Sequence, residues 1–301
     1  MRRLVALVAA AVALVGLTAC GSSSKSNSSS GKTTTTGGAS ATKCTGPADA
    51  YVKTLGKTSD FKPVKADTLS VVTSLPGPGF WEGSDTDPTK LTSGYEYDIA
   101  KQMQQKLGLK NFSVRNVGFD AIVAGSVTNY DLALSQISIT CERAKVVTFT
   151  MPYFQSYQGI LMKKGGSVTT LEQAKKVRWA VQTATTAVDL LKKIGATNVH
   201  VYEQLSDAYT ALDAGQVDAV LIDTAINLGE AARSHDKFVV VAQFNQPGGP
   251  DQYGAILPKG SPNIGAINAL FKDLSDSGQL KALAKKDLTE DPGTIPVIHV
   301  S

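Results

Sequence analysis

The chain has 301 residues, with 30 Lys and Arg against 26 Asp and Glu, a formal charge of +4 and 42% hydrophobic residues. That length suits one large domain or two lobes. The slight positive charge is spread along the chain, which leaves no basic footprint for nucleic acid, and the three Cys and three His show no metal-ligand spacing.

Taken in order, Met1-Arg2-Arg3 is a basic start, and the apolar run from Leu4 to Leu17 is too short for a transmembrane helix. It has the anatomy of a secretory signal. The run ends in Leu17-Thr18-Ala19-Cys20-Gly21, which resembles the lipobox of bacterial lipoproteins, where the Cys is lipidated and becomes the new N-terminus. On this reading residues 1–19 are a lipoprotein signal peptide, and their loss removes Arg2 and Arg3, lowering the charge to +2. Residues 20–43 are then the lipidated Cys20 and a tether, rich in Ser, Thr and Gly and too poor in apolar groups to order itself. Such a linker has an end-to-end distance of about 25–30 Å. Residues 44–66 form a pre-domain segment. With Cys20 lipidated, Cys44 and Cys141 remain in an oxidising compartment; a disulfide is the simple pairing, and two free thiols are the alternative.

The body alternates strand and helix patterns. Strand patterns fall at 69–73, 112–117, 131–134, 146–150, 159–163, 177–181, 200–202, 219–222, 238–241 and 253–257. Helical spacing falls at 95–107, 119–127, 186–195, 205–214 and 263–287, and Gly108 closes the first of these. This βαβ alternation predicts an α/β fold of parallel sheets flanked by helices. The pattern occurs twice, around 69–150 and 177–243, as two similar lobes would require.

The most informative stretch is Asp131 to Ala144, DLALSQISITCERA. An apolar run suited to a buried strand leads into hydroxyl residues and then Arg143. In open α/β sheets ligands sit beyond the carboxyl ends of strands. Hydroxyls and free backbone N–H groups followed by one Arg suit a carboxylate, which a guanidinium grips with two parallel hydrogen bonds. The plain alternative is a strand ending in a solvated turn with a surface Arg.

Several segments resemble the amino-acid-binding lipoproteins of ABC importers, the solute-binding proteins of family 3, of the glutamine or polar amino acid type. Gly94-Tyr-Glu-Tyr-Asp-Ile-Ala resembles the family's G-F-D-x-D-L-A, and Phe119-Asp-Ala-Ile-Val-Ala its aromatic followed by x-x-L-I-P-A. Asp131 to Arg143 resembles D-L-x-x-x-G-x-T-I-T-x-E-R, and Phe149-Thr-Met-Pro-Tyr-Phe resembles F-S-x-P-Y-Y. Val181-Gln-Thr-Ala-Thr-Thr resembles V-x-x-G-T-T, Val217 to Asp223 resembles V-D-A-V-x-x-D, and Tyr253 to Gly260 resembles Y-G-I-A-x-x-K-G.

The resemblance implies a two-lobed type II periplasmic-binding-protein fold with the ligand between the lobes. Lobe one is expected at 67–155 and 252–301, lobe two at 156–251, with crossovers near 153–159 and 250–253 and closure by a hinge. It further implies that Arg143 takes the ligand α-carboxylate and Asp223 its α-ammonium, one charge from each lobe; the plain roles are a structural salt bridge for Arg143 and an N-cap for Asp223. Ser138 is the hydroxyl beside the carboxylate. Thr185 and Thr186 stand at a helix N-terminus that favours an anion, and Gln182 reaches toward the ligand side chain. Phe119 with Phe80 or Trp81 resembles the aromatic pair that brackets the ligand. Gln136 stands where the family has Gly and is a candidate ligand contact.

The loop LPGPGFWEGSDTDPTKLTSG lacks the acid often found just after strand one; its Glu82, Asp85 and Asp87 either favour a basic ligand or are solvated. Cys141 replaces a Pro or Asp, and the chain closes with DLTEDPGTIPVIHVS. The implied protein is a monomeric, extracytoplasmic receptor, lipid-anchored to the cell membrane. It delivers a free polar or charged amino acid to an ABC permease with its ATPase, and it needs no cofactor. Alternatives are a ligand sensor for a membrane signalling partner and a dehydratase-type enzyme on the same fold. Against catalysis, His200, His235 and His299 have no Ser or Cys partner at a recognisable spacing.

Overall fold

Residues 44–289 and 294–300 are described by a computed structural model. The expected signal segment, Cys20 and the tether lie outside them. The strands in chain order are β1 (Thr68–Thr73), β2 (Asn111–Asn116), β3 (Leu132–Ala133), β4 (Val147–Phe149), β5 (Phe154–Ser156), β6 (Gln158–Lys163) and β7 (Trp179–Gln182). They continue with β8 (Val199–Tyr202), β9 (Ala219–Asp223), β10 (Phe238–Asn245), β11 (Asp251–Tyr253), β12 (Ile256–Pro258) and β13 (Val297–His299). The helices are α1 (Pro47–Ala50), α2 (Tyr95–Lys106), α3 (Phe119–Val123), α4 (Leu171–Ala174), α5 (Thr186–Ile194), α6 (Leu205–Asp213), α7 (Thr224–Arg233), α8 (Ile264–Asp276) and α9 (Gln279–Asp287). None of the described helices is long and apolar enough to cross a membrane.

Two sheets share the chain. The first has the order β2-β1-β3-β12-β4, with β1 parallel to β2 and β3, and β12 antiparallel to β3 and β4. The second has the order β13-β10-β6-β9-β7-β8. Burial explains the positions. The apolar strands β7 and β9 are buried throughout and lie in the interior of their sheet. In β2 most residues are exposed, which suits an edge. Between the sheets, β5 and β11 pair antiparallel, Asp251 opposite Ser156 and Tyr253 opposite Phe154, as a two-stranded ribbon that carries the chain across and back.

The expected single strand at 253–257 is two strands, because at Gly254 the chain leaves the ribbon to enter the first sheet. There is no room there for a side chain: a Cβ on Gly254 would sit 2.8 Å from Ile139, and its N–H donates to the Ile137 carbonyl. A second difference concerns the C-terminal segment, expected in lobe one. Its strand β13 instead extends the six-stranded sheet, pairing Gln243 with Val297 and Asn245 with His299. Ile298 and Val300 bury against Phe244, Trp179 and Ala242, so two apolar residues suffice to dock it there.

Segment 44–66 lies along the first sheet. Tyr51 bridges to Phe149, the Val52 N–H donates to the Phe149 carbonyl, and the Asn268 amide holds the Val52 and Thr54 carbonyls. Cys44 and Cys141 are disulfide-bonded with Cα atoms 5.7 Å apart, closing a loop of 97 residues in sequence. The bridge fixes the segment two residues from Arg143. Replacing both cysteines by serine is expected to remove about 2–4 kcal/mol. For a domain of this size that lowers the melting temperature by roughly 4–16 °C. An unchanged melting curve would show that packing alone holds the segment.

Candidate functional site

The cavity lies where strand ends and helix starts from both sheets converge, and its volume of about 20 Å³ has room for little more than one water. Arg143, Ser138, Phe119 and Gln136 reach it from segments of the first sheet. Asp223, Gln182, Thr185 and Thr186 reach it from the second. Eight of the residues singled out in the sequence therefore meet in one place. Phe80 and Trp81 do not join them: both are buried in the core, 0% and 1% exposed. Phe80 packs edge-on against Tyr95 and Phe154, and the Trp81 indole N–H donates to Glu96 at 2.7 Å. An aromatic in a loop after the first strand reads the same in sequence whether it turns to a cleft or to the core, and here the core claims both.

Arg143 opens a 3₁₀ turn, Arg143–Lys145, just beyond the β3 exit segment. Its guanidinium lies over the Phe119 ring, 5.4 Å from the centroid. One terminal nitrogen donates to the Ser138 carbonyl and the other to the Ala184 carbonyl, each at 2.8 Å. Two of five N–H donors are thereby used, and the planar fork ties the two halves of the cleft together. Burial lowers the Arg143 pKa to about 10, against the pull of Asp251, Asp223 and Asp189, and the side chain stays charged at neutral pH.

Ala184 has φ +59° and Gln136 has φ +50°, left-handed conformations that favour glycine. At both positions, one on each wall of the cleft, the resembling motifs carry Gly where this chain does not. The backbone turn that aims the Ala184 carbonyl at Arg143 is thus kept here by a residue with a side chain.

Asp223 ends β9 and precedes α7. It occupies the N-cap position, but its side chain makes no capping hydrogen bond. The neighbouring strand β6 approaches so closely that a Cβ on Gly159 would lie 2.8 Å from the Thr224 Cα, which fixes the start of α7. Asp223 is buried and its Oδ1 has no hydrogen-bond partner. Burial, with Asp251 adding to it, pushes its pKa up to about 8, while Tyr253 and Gln158 pull the other way. A buried carboxyl oxygen without a partner in this position invites a cation.

At α5, Thr185 is the N-cap, but its hydroxyl donates back to the Gln182 carbonyl at 2.7 Å and caps nothing. The first N–H groups of α5 are left for an acceptor. Gln182 is buried, its amide donating to the Glu203 carbonyl at 3.3 Å.

Sequence reasoning passed over Asp251 and Glu96. Asp251, on β11, accepts from Thr186 Oγ1 at 2.7 Å, Gln158 Nε2 at 2.9 Å, Ser138 Oγ at 3.3 Å and Gln246 Nε2 at 3.4 Å. It joins residues of both sheets, Ser138 on one side with Gln158 and Thr186 on the other. Glu96, fully buried on α2, accepts from Trp81, from the Gln136 backbone and amide, and from the Tyr153 hydroxyl. The loop acids Glu82, Asp85 and Asp87 stay off the cavity. Glu82 accepts from the Gly79 N–H, Asp85 pairs with Arg233 of α7 at 2.6 Å, and Asp87 accepts from Thr89.

The profile of the bacterial extracellular solute-binding proteins, family 3, matches residues 82–290. The ABC transporter glutamine-binding protein GlnH of Bacillus subtilis is 30% identical over 235 residues, covering 76% of this chain and 81% of that one. The L-cystine-binding protein TcyJ of Escherichia coli is 28% identical over 206 residues, covering 66% and 75%. Among solved structures, the arginine-, lysine-, histidine-binding protein ArtJ of Geobacillus stearothermophilus superimposes with a TM-score of 0.65 at 26% identity, covering 75% of this chain and 97% of that one.

Proposed function

This chain belongs to the bacterial extracellular solute-binding proteins of family 3, with their type II periplasmic-binding-protein fold, and we propose that it is the amino-acid receptor of an ABC importer. The observation that carries the reading is one buried cation and one buried carboxyl with an unpartnered oxygen, brought to a single cavity from the two sheets. Arg143 takes the α-carboxylate with help from the open N-terminus of α5. Asp223 takes the α-ammonium. A zwitterion spanning the two charges holds the lobes shut, because it binds the closed arrangement better than the open one. The permease then receives the closed, loaded form. Cys20 with its tether keeps the receptor at the outer face of the cell membrane, and no step of the cycle needs catalysis by this chain.

The direct test is a thermal-melt screen of the purified protein against the common amino acids. A ligand at about 100 times its dissociation constant adds roughly 2.7 kcal/mol to stability. No shift with any amino acid would remove the α-carboxylate and α-ammonium roles together.

Binding is also expected to release a proton. With its pKa at about 8, Asp223 is mostly protonated at pH 7 in the empty protein. An ammonium favours the carboxylate and lowers that pKa, so affinity rises with pH through the range below 8, by at most tenfold per unit. Calorimetry at pH 7 in buffers of different ionisation heat should show close to one proton released per ligand. Proton uptake would contradict the role of Asp223.

A further inference from the structure

The cavity lining holds two charges, Arg143 and Asp223, and the reading above spends both on the ligand's α-groups. What remains for a side chain is neutral. Pro76, Leu205 and Ile226 supply apolar surface, while Ser74, Gln136 and Gln182 supply dipoles. The nearest other carboxylates are already satisfied or placed elsewhere. Asp251 takes four donors and is absent from the lining. Asp120, Glu142 and Asp189 border an adjoining groove that shares Arg143, Thr185 and Thr186 with the cavity, and they are absent from the cavity's own lining. A charged side chain entering the cavity would be buried without a counter-charge, which disfavours its binding strongly.

The Gln136 amide has a defined orientation. Its Nε2 donates to Glu96 Oε2 at 2.5 Å, and its backbone N–H donates to Glu96 Oε1 at 2.8 Å. Glu96 also accepts from the Trp81 indole and the Tyr153 hydroxyl, and it is 0% exposed. Burial raises the Glu96 pKa to about 7 against the pull of its four donors, and in its ionised form, with every partner a donor, it holds the Gln136 amide by its nitrogen. The Gln136 oxygen accepts no hydrogen bond among the described residues, and Gln136 lines the cavity.

We infer that Glu96, as a positioning residue, fixes Gln136 with its amide oxygen toward the cavity, so that the site selects amino acids with uncharged, hydrogen-bond-donating side chains. Glutamine, asparagine, serine and threonine fit this description; arginine, lysine, glutamate and aspartate do not. The inference rests on the amino-acid reading of the cleft and names the side-chain class within it. It narrows the sequence expectation of a polar or charged ligand to the uncharged part of that range. Selection works by the asymmetry of buried hydrogen bonds: a ligand that offers an acceptor where the protein also offers one loses a bond and gains a repulsion.

The test is calorimetric titration of the full protein with glutamine, asparagine, serine, glutamate, arginine and leucine. The tightest ligand is expected among the first three, with glutamate and arginine at least 100-fold weaker. If arginine, glutamate or leucine matches or exceeds them, the inference is overturned while the receptor reading stands. If none of the six binds, the inference is overturned, and the receptor reading then stands or falls with the thermal-melt screen against the remaining amino acids.

Two variants probe the mechanism. Gln136→Ala should weaken the preferred ligand 10-fold or more and leave leucine within about 3-fold. A uniform loss across all ligands would mean that Gln136 serves only the fold. Glu96→Gln offers a side chain that can donate as well as accept, which frees the Gln136 amide to turn. The ratio of glutamine to glutamate affinity should then fall by at least 10-fold, a change that mere loosening of the core would not produce. An unchanged ratio would overturn the positioning role of Glu96.

Discussion

Arg143→Ala is expected to abolish amino-acid binding, with a loss of about 3–5 kcal/mol, or more than a hundredfold in Kd. Three contacts within the protein end with the guanidinium, and on the proposed reading a fourth, to the ligand, ends with them. The proposed ligand carboxylate loses its counter-charge, the Ser138 and Ala184 carbonyls lose their donor, and the Phe119 face loses its cation. The second of these matters because Ser138 and Ala184 belong to opposite walls, so the variant also weakens closure of the empty cleft. Arg143→Lys keeps the charge but cannot serve two carbonyls and a carboxylate with one compact ammonium. It should recover only a small part of the affinity. Calorimetric titration of both variants against the ligand found by thermal screening decides the matter, and near-normal binding by Arg143→Lys would show that the planar fork is dispensable.

Asp223→Asn should have opposite effects on binding and on stability. Binding falls by at least a hundredfold, because the ammonium loses its counter-charge inside a buried site. Stability of the empty protein rises, and the sign follows from the raised pKa. A carboxyl whose folded pKa is about 8 contributes stability below its unfolded value near 3.8, and that contribution is lost as pH rises to 8. Asn carries no such loss. The empty variant should therefore be more stable than the wild-type protein at pH 8.5, by on the order of 6 kcal/mol at most, with about half that gap at pH 6. A site tuned for a ligand is commonly less stable empty than a neutral substitute. Melting curves of both proteins at the two pH values are the check; a variant less stable at pH 8.5 would mean that Asp223 is satisfied within the protein.

Much of this arrangement was legible in the sequence because it depends on local order. β3 and the segment to Arg143 form one continuous stretch, and the start of α7 follows Asp223 directly, so neither placement needed long-range knowledge. The two positive-φ positions, Gln136 and Ala184, stand where the resembling motifs have Gly, and the backbone explains why Gly is suited there. Asp251 was not legible. In sequence it follows Pro-Gly-Gly-Pro and reads as part of a turn; only the pairing of β11 with β5 brings it to Thr186, Gln158 and Ser138. Glu96 was hidden for a similar reason, since an acid in the first turn of a helix ordinarily reads as a complement to the helix dipole. Its four donors come from a loop, the segment after β3 and the crossover. β13, three residues long, carries too little pattern to assign to either sheet.

On the proposed reading a single zwitterionic head joins Arg143 to Asp223 across the cleft. The most direct measurement compares the amino acid that gives the largest melting shift with two of its own analogues, one lacking the α-ammonium and one lacking the α-carboxylate, by calorimetric titration at pH 7. Each analogue should bind at least 100-fold more weakly than the parent, and proton release should vanish for the analogue without the ammonium. An analogue that binds as tightly as its parent would contradict the account, because one of the two buried charges would then be recognising nothing.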